Sequence, residues 1–253
     1  DTSACTIKED AFQNLNYYLC KNFSKTKFVS DSQWVILPEF EKTIKNKIIK
    51  VGKPLSEWSI SIKFGMKTCF NDAFVIDEDT KNRICNDEPA AIEIMRPLLR
   101  GRDIQKYNCE FKNLWMITVH NGIHKYNIPP IDIDMYPVTK GFMNQYFTKL
   151  EKRIDQGITP YHLKNCTYFE EFLKPKIVFQ EIEQSPSFGL DIEGKYMILD
   201  TARMITGERI EYLTALLNSN LFFFAVKHFY GGGALGKTGI RMKHTFFRDF
   251  CAY

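Results

Sequence analysis

Residues 231–238 read Gly-Gly-Gly-Ala-Leu-Gly-Lys-Thr and satisfy the phosphate-loop pattern G-x-x-x-x-G-K-[ST] at every position. What flanks this loop constrains the fold more than any other feature of the chain. A phosphate loop needs a buried strand leading into the glycines and a helix leading out, so that free N–H groups at the helix start face the phosphates. The flanks predict the reverse order. Leu221, Phe222, Ala225, Val226 and Phe229 recur at helical spacing, Lys227 and His228 interrupt any strand, and Asn218-Ser219-Asn220 supplies N-cap chemistry. After Thr238 come Gly239 and the alternating run Ile240-Arg241-Met242-Lys243, which reads as a strand. An apolar run ending in an acid, Tyr196 to Asp200, precedes the loop rather than following it. A P-loop-type nucleotide-binding protein using Gly231 to Thr238 is therefore only an alternative reading, and its context argues against it.

Elsewhere helices and strands interleave without regular βαβ order. A peripheral helix is expected around Phe12–Cys20, a short strand at Trp34–Leu37, and a helix whose Phe40, Ile44 and Ile48 step by four toward the stop residue Gly52. Ile60, Ile62 and Phe64 alternate as a strand ending at Gly65. Ala73–Ile76 reads as another strand, followed by a polar helix capped by Asp77. Leu114–Val119 and Lys176–Ile182 read as buried strands. Val138, Phe142, Tyr146, Leu150 and Ile154 form an i,i+4 stripe that predicts one helix from Pro137 to Gly157. Ile210, Leu213, Leu216 and Leu217 mark a further helix. The fold class expected is mixed α/β (α+β), a mixed sheet with flanking helices.

At 253 residues the chain can bury one large core or two modest ones. Its net charge of +4 does not by itself argue for nucleic acid, but the basic residues cluster. Arg96, Arg100, Arg102 and Lys106 lie close together, as do Lys237, Arg241, Lys243 and Arg248. Cysteines at 5, 20, 69, 85, 109, 166 and 251 form an odd, scattered set with no C-x-x-C pair, which suits reduced thiols and a cytoplasmic setting. The longest apolar run, around Leu221–Val226, is too short to span a bilayer, so no membrane partner is expected. The chain begins with Asp1 and stops abruptly at Phe250-Cys-Ala-Tyr253, and it reads as a fragment of something longer.

Catalytic signals are near-misses. Asn127-Ile-Pro-Pro-Ile131 lacks the adjacent Asn-Pro-Pro-aromatic order with which adenine methyltransferases grip a flipped base. His120 and His124 have ligand spacing, but Gly122 between them and the absence of an acidic or Cys cluster argue against a metal. Asp79-x-Lys81 and Glu193-x-Lys195 each offer half of a PD-(D/E)xK nuclease site, with Asp72 and Asp191 as the earlier acids. No Ser/His/Asp or Cys/His set stands out, so no catalytic residue, metal or cofactor is expected within these residues. The Arg100-Gly101-Arg102 segment reads differently. Two guanidinium groups around a glycine suit a close backbone approach to a ligand, with both forks on phosphate or guanine edges.

Lys63-Phe-Gly-Met-Lys-Thr-Cys-Phe-Asn-Asp-Ala-Phe-Val-Ile-Asp77 followed by Arg96-Pro-Leu-Leu-Arg-Gly-Arg-Asp-Ile-Gln-Lys-Tyr107 resembles the TaqI-like C-terminal specificity domain of type II restriction-modification methylases. The blocks continue in order: Asp134-Met-Tyr-Pro137, Leu150-Glu-Lys-Arg153, Thr159-Pro-Tyr-His-Leu-Lys-Asn-Cys166, Phe172-Leu-Lys-Pro-Lys-Ile177 and Leu216-Leu-Asn-Ser219, closed by the glycine loop with Gly239-Ile-Arg-Met-Lys243. Two departures stand out. Cys69 occupies a position where a glycine is usual, and the terminal block Phe246-Phe-Arg-Asp-Phe-Cys251 lacks the usual Ile-Pro ending.

The resemblance implies a target recognition domain over residues 33–253, akin to those of type I specificity subunits. Residues 1–32 would link it to an absent methyltransferase domain. The implied partners are double-stranded DNA and that methyltransferase domain, which would modify adenine N6 with S-adenosylmethionine. A nuclease using Mg2+ is a further possibility of the parent protein. Lys67, Thr68 and Asn71 are expected to offer donors and acceptors to base edges. Arg100, Arg102, Lys237, Arg241 and Lys243 are expected to meet phosphates, one arginine reading guanine. A non-DNA interaction module is the remaining alternative.

Overall fold

The computed structural model describes residues 2–7, 9–28, 35–230, 234–235, 239–242 and 248–253. They divide into two compact units. One comprises Asp1–Ile60, Ile182–Pro186 and Leu216–Tyr253; the other comprises Ser61–Glu181 and Ser187–Ala215.

The second unit is built on two four-stranded sheets. In one the order is Phe188–Asp191, Lys176–Gln180, Ala202–Gly207, Ile60–Phe64, and the first three strands run antiparallel. In the other the order is Met197–Ile198, Met95–Leu99, Leu114–Ile117, Val75–Asp77. Met197–Ile198 lies parallel to Leu98–Leu99 and the remaining pairs are antiparallel, so the sheet is mixed, as the α+β expectation requires. Strands buried on both faces read as continuous apolar runs, and Ile177, Val178 and Phe179 are all fully buried.

The strand Lys176–Gln180 begins with a charge. Lys176 and Asp191 stand opposite each other in the antiparallel register, with Nζ 2.5 Å from Oδ2, and both side chains are buried. Nζ also donates to the Phe172 carbonyl at 2.7 Å. Asp191 accepts the N–H groups of Lys195 at 3.2 Å and Tyr196 at 3.0 Å. Burial lowers the Lys176 pKa while Asp191 opposes that shift. Such a pair holds because both partners make further hydrogen bonds to the backbone. Gly194, at φ +66°, closes the Asp191–Lys195 turn, where a Cβ would meet the Leu173 carbonyl oxygen at 2.6 Å. This use of Asp191 removes it from the nuclease reading.

Side chains answer the N-termini of the helices Glu78–Asp87 and Pro137–Asn144. Asp77 caps Glu78–Asp87 by accepting the Thr80 N–H at 2.8 Å, as its position predicted. Glu88, buried, receives Val138 N at 3.0 Å, Thr139 N at 3.2 Å and Thr139 Oγ1 at 2.7 Å, which places a carboxylate on the start of the helix Pro137–Asn144. The single helix expected from Pro137 to Gly157 is two: Pro137–Asn144 and Phe147–Glu151. The N–H groups of Gln145 and Tyr146 reach back three residues, to Phe142 and Met143, and break the regular ladder. Ile154 ends the apolar stripe fully exposed, because Arg153 beside it turns inward. Gly157 is a packing requirement rather than a helix stop, since a Cβ there would lie 2.1 Å from Asn121 Oδ1.

In the first unit the helix Glu39–Val51 ends at Gly52 as expected, and Leu15–Asn22 follows a short 3-10 turn. Val35–Leu37 is irregular where a strand was expected, and Trp34 lies outside the described residues. The helix Ile210–Leu217, most of which belongs to the second unit, is followed by the helix Asn220–Phe229, capped by Ser219 Oγ, which accepts Phe222 N at 3.1 Å. A helix thus enters the glycine loop and the strand Gly239–Arg241 leaves it, pairing with Ile182–Glu183 on one side and Ala234–Leu235 on the other. Among the described residues the order is helix then strand rather than the strand then helix of a phosphate loop, and the nucleotide-binding alternative is not supported.

Breaking the buried pair should be costly. Asp191→Ala is expected to lower unfolding free energy by about 3–5 kcal/mol. The double change Lys176→Met with Asp191→Leu should cost less than the single, as read by urea unfolding.

Candidate nucleic-acid interface

The loop after the strand Ile60–Phe64 is strapped down before it exposes anything. Gly65 donates to the Ala202 carbonyl at 3.0 Å, Met66 donates to Ile198 at 2.7 Å, and Asp200 returns a bond to Met66 at 3.1 Å. A Cβ on Gly65 would sit 1.9 Å from the Leu199 carbonyl oxygen, so only glycine permits this approach. From there the chain presents Lys67 outward, turns Thr68 inward, and passes through Cys69 at φ +59°. That left-handed backbone is the physical reason a glycine suits position 69.

Thr68 is buried and its hydroxyl donates to Asn71 Oδ1 at 2.5 Å while accepting Phe70 N at 3.3 Å. Thr68, expected to face a ligand, is placed with its side chain inward, where it orients Asn71 from behind. Asn71 itself is exposed, and its Nδ2 has no partner among the described residues. Behind the loop lies Arg153, whose guanidinium donates to three carbonyls: Thr68 at 2.6 Å, Pro160 at 2.8 Å and His162 at 2.6 Å. It stacks 4.7 Å from the Phe74 ring centroid, and burial lowers its pKa. No carboxylate meets it among the described residues. Arg153 stood in a block quoted above, but nothing in its type or spacing announced carbonyl partners.

Asp155 lies at the edge of the same loop. Its Oδ2 receives Lys67 Nζ at 3.2 Å, Lys164 Nζ at 3.0 Å and Cys69 Sγ at 3.7 Å. The Lys164 and Lys67 hydrogen bonds lower its pKa, and the bond to Asp155 raises that of Lys67. Lys67 and Lys164 line a cleft of about 490 Å³ together with Phe64, Tyr168, Asn165 and Asp200. Phe64 is half exposed, and the Arg203 guanidinium lies 3.9 Å from its ring centroid. Asp155 carried no sequence signal as a charge, because its pairing with Lys67 joins positions 88 residues apart in the chain.

The Arg100-Gly101-Arg102 segment is a 3-10 turn, Gly101–Asp103. Arg100 is committed to Asp103, with Nε–Oδ2 at 2.8 Å and Nη2–Oδ1 at 2.9 Å, and its backbone N–H reaches the same carboxylate. Asp103 is buried, and though burial alone would raise its pKa, the Arg100 bonds hold it below the usual range. Arg100, expected to meet phosphate or guanine, has one edge of its fork taken up by this internal pair. Gly101 is also buried, with a Cβ position 3.0 Å from the Gln180 side chain, so the glycine serves packing rather than ligand approach. Arg102 is exposed and has no ion-pair partner among the described residues. No described bond joins this turn to the Lys67–Asn71 loop. Lys237 and Lys243 lie outside the described residues; Arg241 ends the strand Gly239–Arg241, and only its backbone is described.

The other near-misses have structural explanations. His120 is half buried, accepts Gly122 N at 3.1 Å and packs 5.1 Å from the Phe169 ring. Asn127 closes a turn at φ +54°. Among the described residues no group of three or more His, Cys, Asp or Glu side chains could hold a metal, and no helix is long and apolar enough to cross a membrane.

Comparison with known proteins adds to this geometry. The model of the family described as the TaqI-like C-terminal specificity domain matches residues 96–235, more than half of the chain. No curated protein sequence matches. Among solved structures, one titled as the type IIG restriction endonuclease BpuSI is similar with a TM-score of 0.51 and 14% identity, covering 84% of this chain and 25% of that one. Another, titled as the type IIL restriction-modification enzyme MmeI in complex with DNA, has a TM-score of 0.47 and 13% identity, covering 78% and 25%. The chain therefore spans about a quarter of the length of these two structures.

Lysine cannot replace a fork that meets three carbonyls, so Arg153→Lys should destabilise the protein by about 2–4 kcal/mol in urea unfolding. Cys69→Gly relieves the left-handed strain and should raise stability by up to about 1 kcal/mol, read as a higher thermal midpoint.

Proposed function

The chain belongs to the TaqI-like C-terminal specificity domain family, and we propose that it reads the target sequence of a type II restriction-modification enzyme on double-stranded DNA. The family match over residues 96–235 carries this reading. The exposed donors described above support it, because base edges are read by outward, pre-oriented amides and guanidinium groups while cations on the rim meet phosphates.

In this reading Asn71 addresses a base edge. Its Oδ1 is fixed by the Thr68 hydroxyl, which leaves the Nδ2 donors aimed outward. A side chain held in one orientation loses little freedom on binding, so its hydrogen bonds translate into discrimination. Arg102 and Lys67 supply positive charge on exposed turns. Arg241, together with Lys237 and Lys243, would follow the phosphate backbone with the glycine loop. Arg100 and Thr68 act behind the surface by holding Asp103 and Asn71.

The remainder of the parent enzyme is part of the same proposal. Residues 1–32 would connect to a methyltransferase domain that transfers a methyl group from S-adenosylmethionine to adenine N6, with any Mg2+-dependent nuclease lying still further away. This chain's task would be to hold the target DNA in register for that domain, with no catalytic group of its own.

Changing Arg241 and Lys243 together to glutamine should weaken binding to all duplexes and flatten the dependence of log K on log salt by about 2, from roughly 0.9 per phosphate contact. An unchanged slope in a fluorescence anisotropy titration would remove both from the interface. Asn71→Ala should cost about 1–3 kcal/mol more at one base pair of the target than at the others, read by competition with single-substituted duplexes.

A further inference from the structure

Two cations at the cleft are already occupied. Lys67 and Lys164 line it, yet both donate to a single oxygen, Oδ2 of Asp155, with the Cys69 thiol as a third donor. The lysine side chains stay open, at 54% and 44% exposure, while the Asp155 side chain between them is 28% exposed. One carboxylate oxygen held by two ammonium groups occupies the place that a non-bridging phosphate oxygen would take, since both are singly charged acceptors of charge-assisted bonds. Partly exposed ion pairs of this kind are weak and exchange easily. Beside the lysines, Phe64 and Tyr168 give the cleft an apolar wall against which a deoxyribose could lie.

We propose that Lys67 and Lys164 form a DNA phosphodiester site whose internal occupant is Asp155, and that Asp155 restrains binding to DNA of arbitrary sequence. This rests on the DNA-reading function proposed above. A backbone phosphate must displace the carboxylate before it can engage both lysines. Duplex DNA pays back that exchange by releasing condensed counterions, an advantage that a free anion lacks. Asp155 therefore weakens every backbone contact made at this cleft, and binding strengthens only where base contacts elsewhere hold the duplex in place.

The test is anisotropy of a fluorescent duplex of random sequence, titrated with the whole chain over a series of salt concentrations. Asp155→Asn keeps the shape and removes the charge. It should bind about fivefold more tightly at low salt than the unaltered protein, with a slope of log K against log salt steeper by about 1. Adding Lys67→Gln and Lys164→Gln to Asp155→Asn should abolish the gain and leave binding below that of the unaltered protein. In the presence of Asp155, Lys67→Gln and Lys164→Gln alone should each weaken binding by a smaller factor, and they keep the proposal testable if Asp155→Asn fails to fold. Equal affinity and slope for Asp155→Asn, or a gain that survives loss of both lysines, overturns the proposal while leaving the DNA-reading function intact. Inorganic phosphate that displaces the duplex from Asp155→Asn at constant ionic strength would reassign the cleft to free anions and overturn it as well. Failure of the unaltered protein to bind any duplex would instead overturn the DNA-reading function on which it rests.

Discussion

A guanidinium taken out of water without a carboxylate must be met by carbonyls, and Arg153 collects three of them from two separate segments. Moving either segment would strand a charged donor in a buried site, at a cost of several kcal/mol (about 3–5). The Thr68 carbonyl is therefore fixed in position from behind, and the loop that carries Lys67 and Asn71 cannot drift. Two further constraints act on the same loop. Gly65 lies in contact with the Leu199 backbone, and Met66 exchanges hydrogen bonds with Ile198 and Asp200. Between them these contacts tie one exposed turn to the strand Ile60–Phe64 at its start and to Met197–Ile198 across from it. The loop is thus as rigid as the sheets it joins, which is the condition under which an exposed amide can discriminate.

The second buried cation follows the same rule with a different partner. Lys176 cannot recruit carbonyls in a planar fork, so it takes one carboxylate and one carbonyl, and Asp191 is completed by two backbone N–H groups. Both arrangements spend their charge on backbone. In the second, Asp191 has its carboxylate taken up by Lys176 and two backbone N–H groups. Buried charge in this unit holds the chain, as Arg153 and Lys176 show.

Local patterning explains what could be read in advance. The helix into the glycine loop, the Asp77 cap and the strand Ile60–Phe64 follow from local periodicity and capping, which the sequence states directly. The break at Gln145–Tyr146 does not, because the apolar stripe continues through it while the backbone turns to bring Arg153 inward. Gly101 looked like a ligand-facing glycine because its neighbours are arginines, and its actual reason, the Gln180 side chain, sits on a strand nearly eighty residues away. The bonds of Thr68 to Asn71 and of Arg100 to Asp103 lie within their own turns, yet residue type and spacing do not state which way those side chains face. Long-range pairing is what sequence spacing cannot carry.

The facing of each turn residue also determines which ones can change without disturbing the fold. Lys67 and Arg102 make no buried bond, so substitution there alters charge and leaves the scaffold unstrained. Asn71 differs, because its Oδ1 answers the hydroxyl of buried Thr68, and a side chain without an acceptor would leave that hydroxyl unpaired in a closed site. Aspartate keeps the acceptor and reverses the sign presented outward, while serine shortens the reach and loses the bond. The structure therefore permits a narrow set of residues at position 71 and a wide set at 67 and 102, so that a change of base preference at Asn71 is coupled to the packing of the loop and a change of backbone affinity is not.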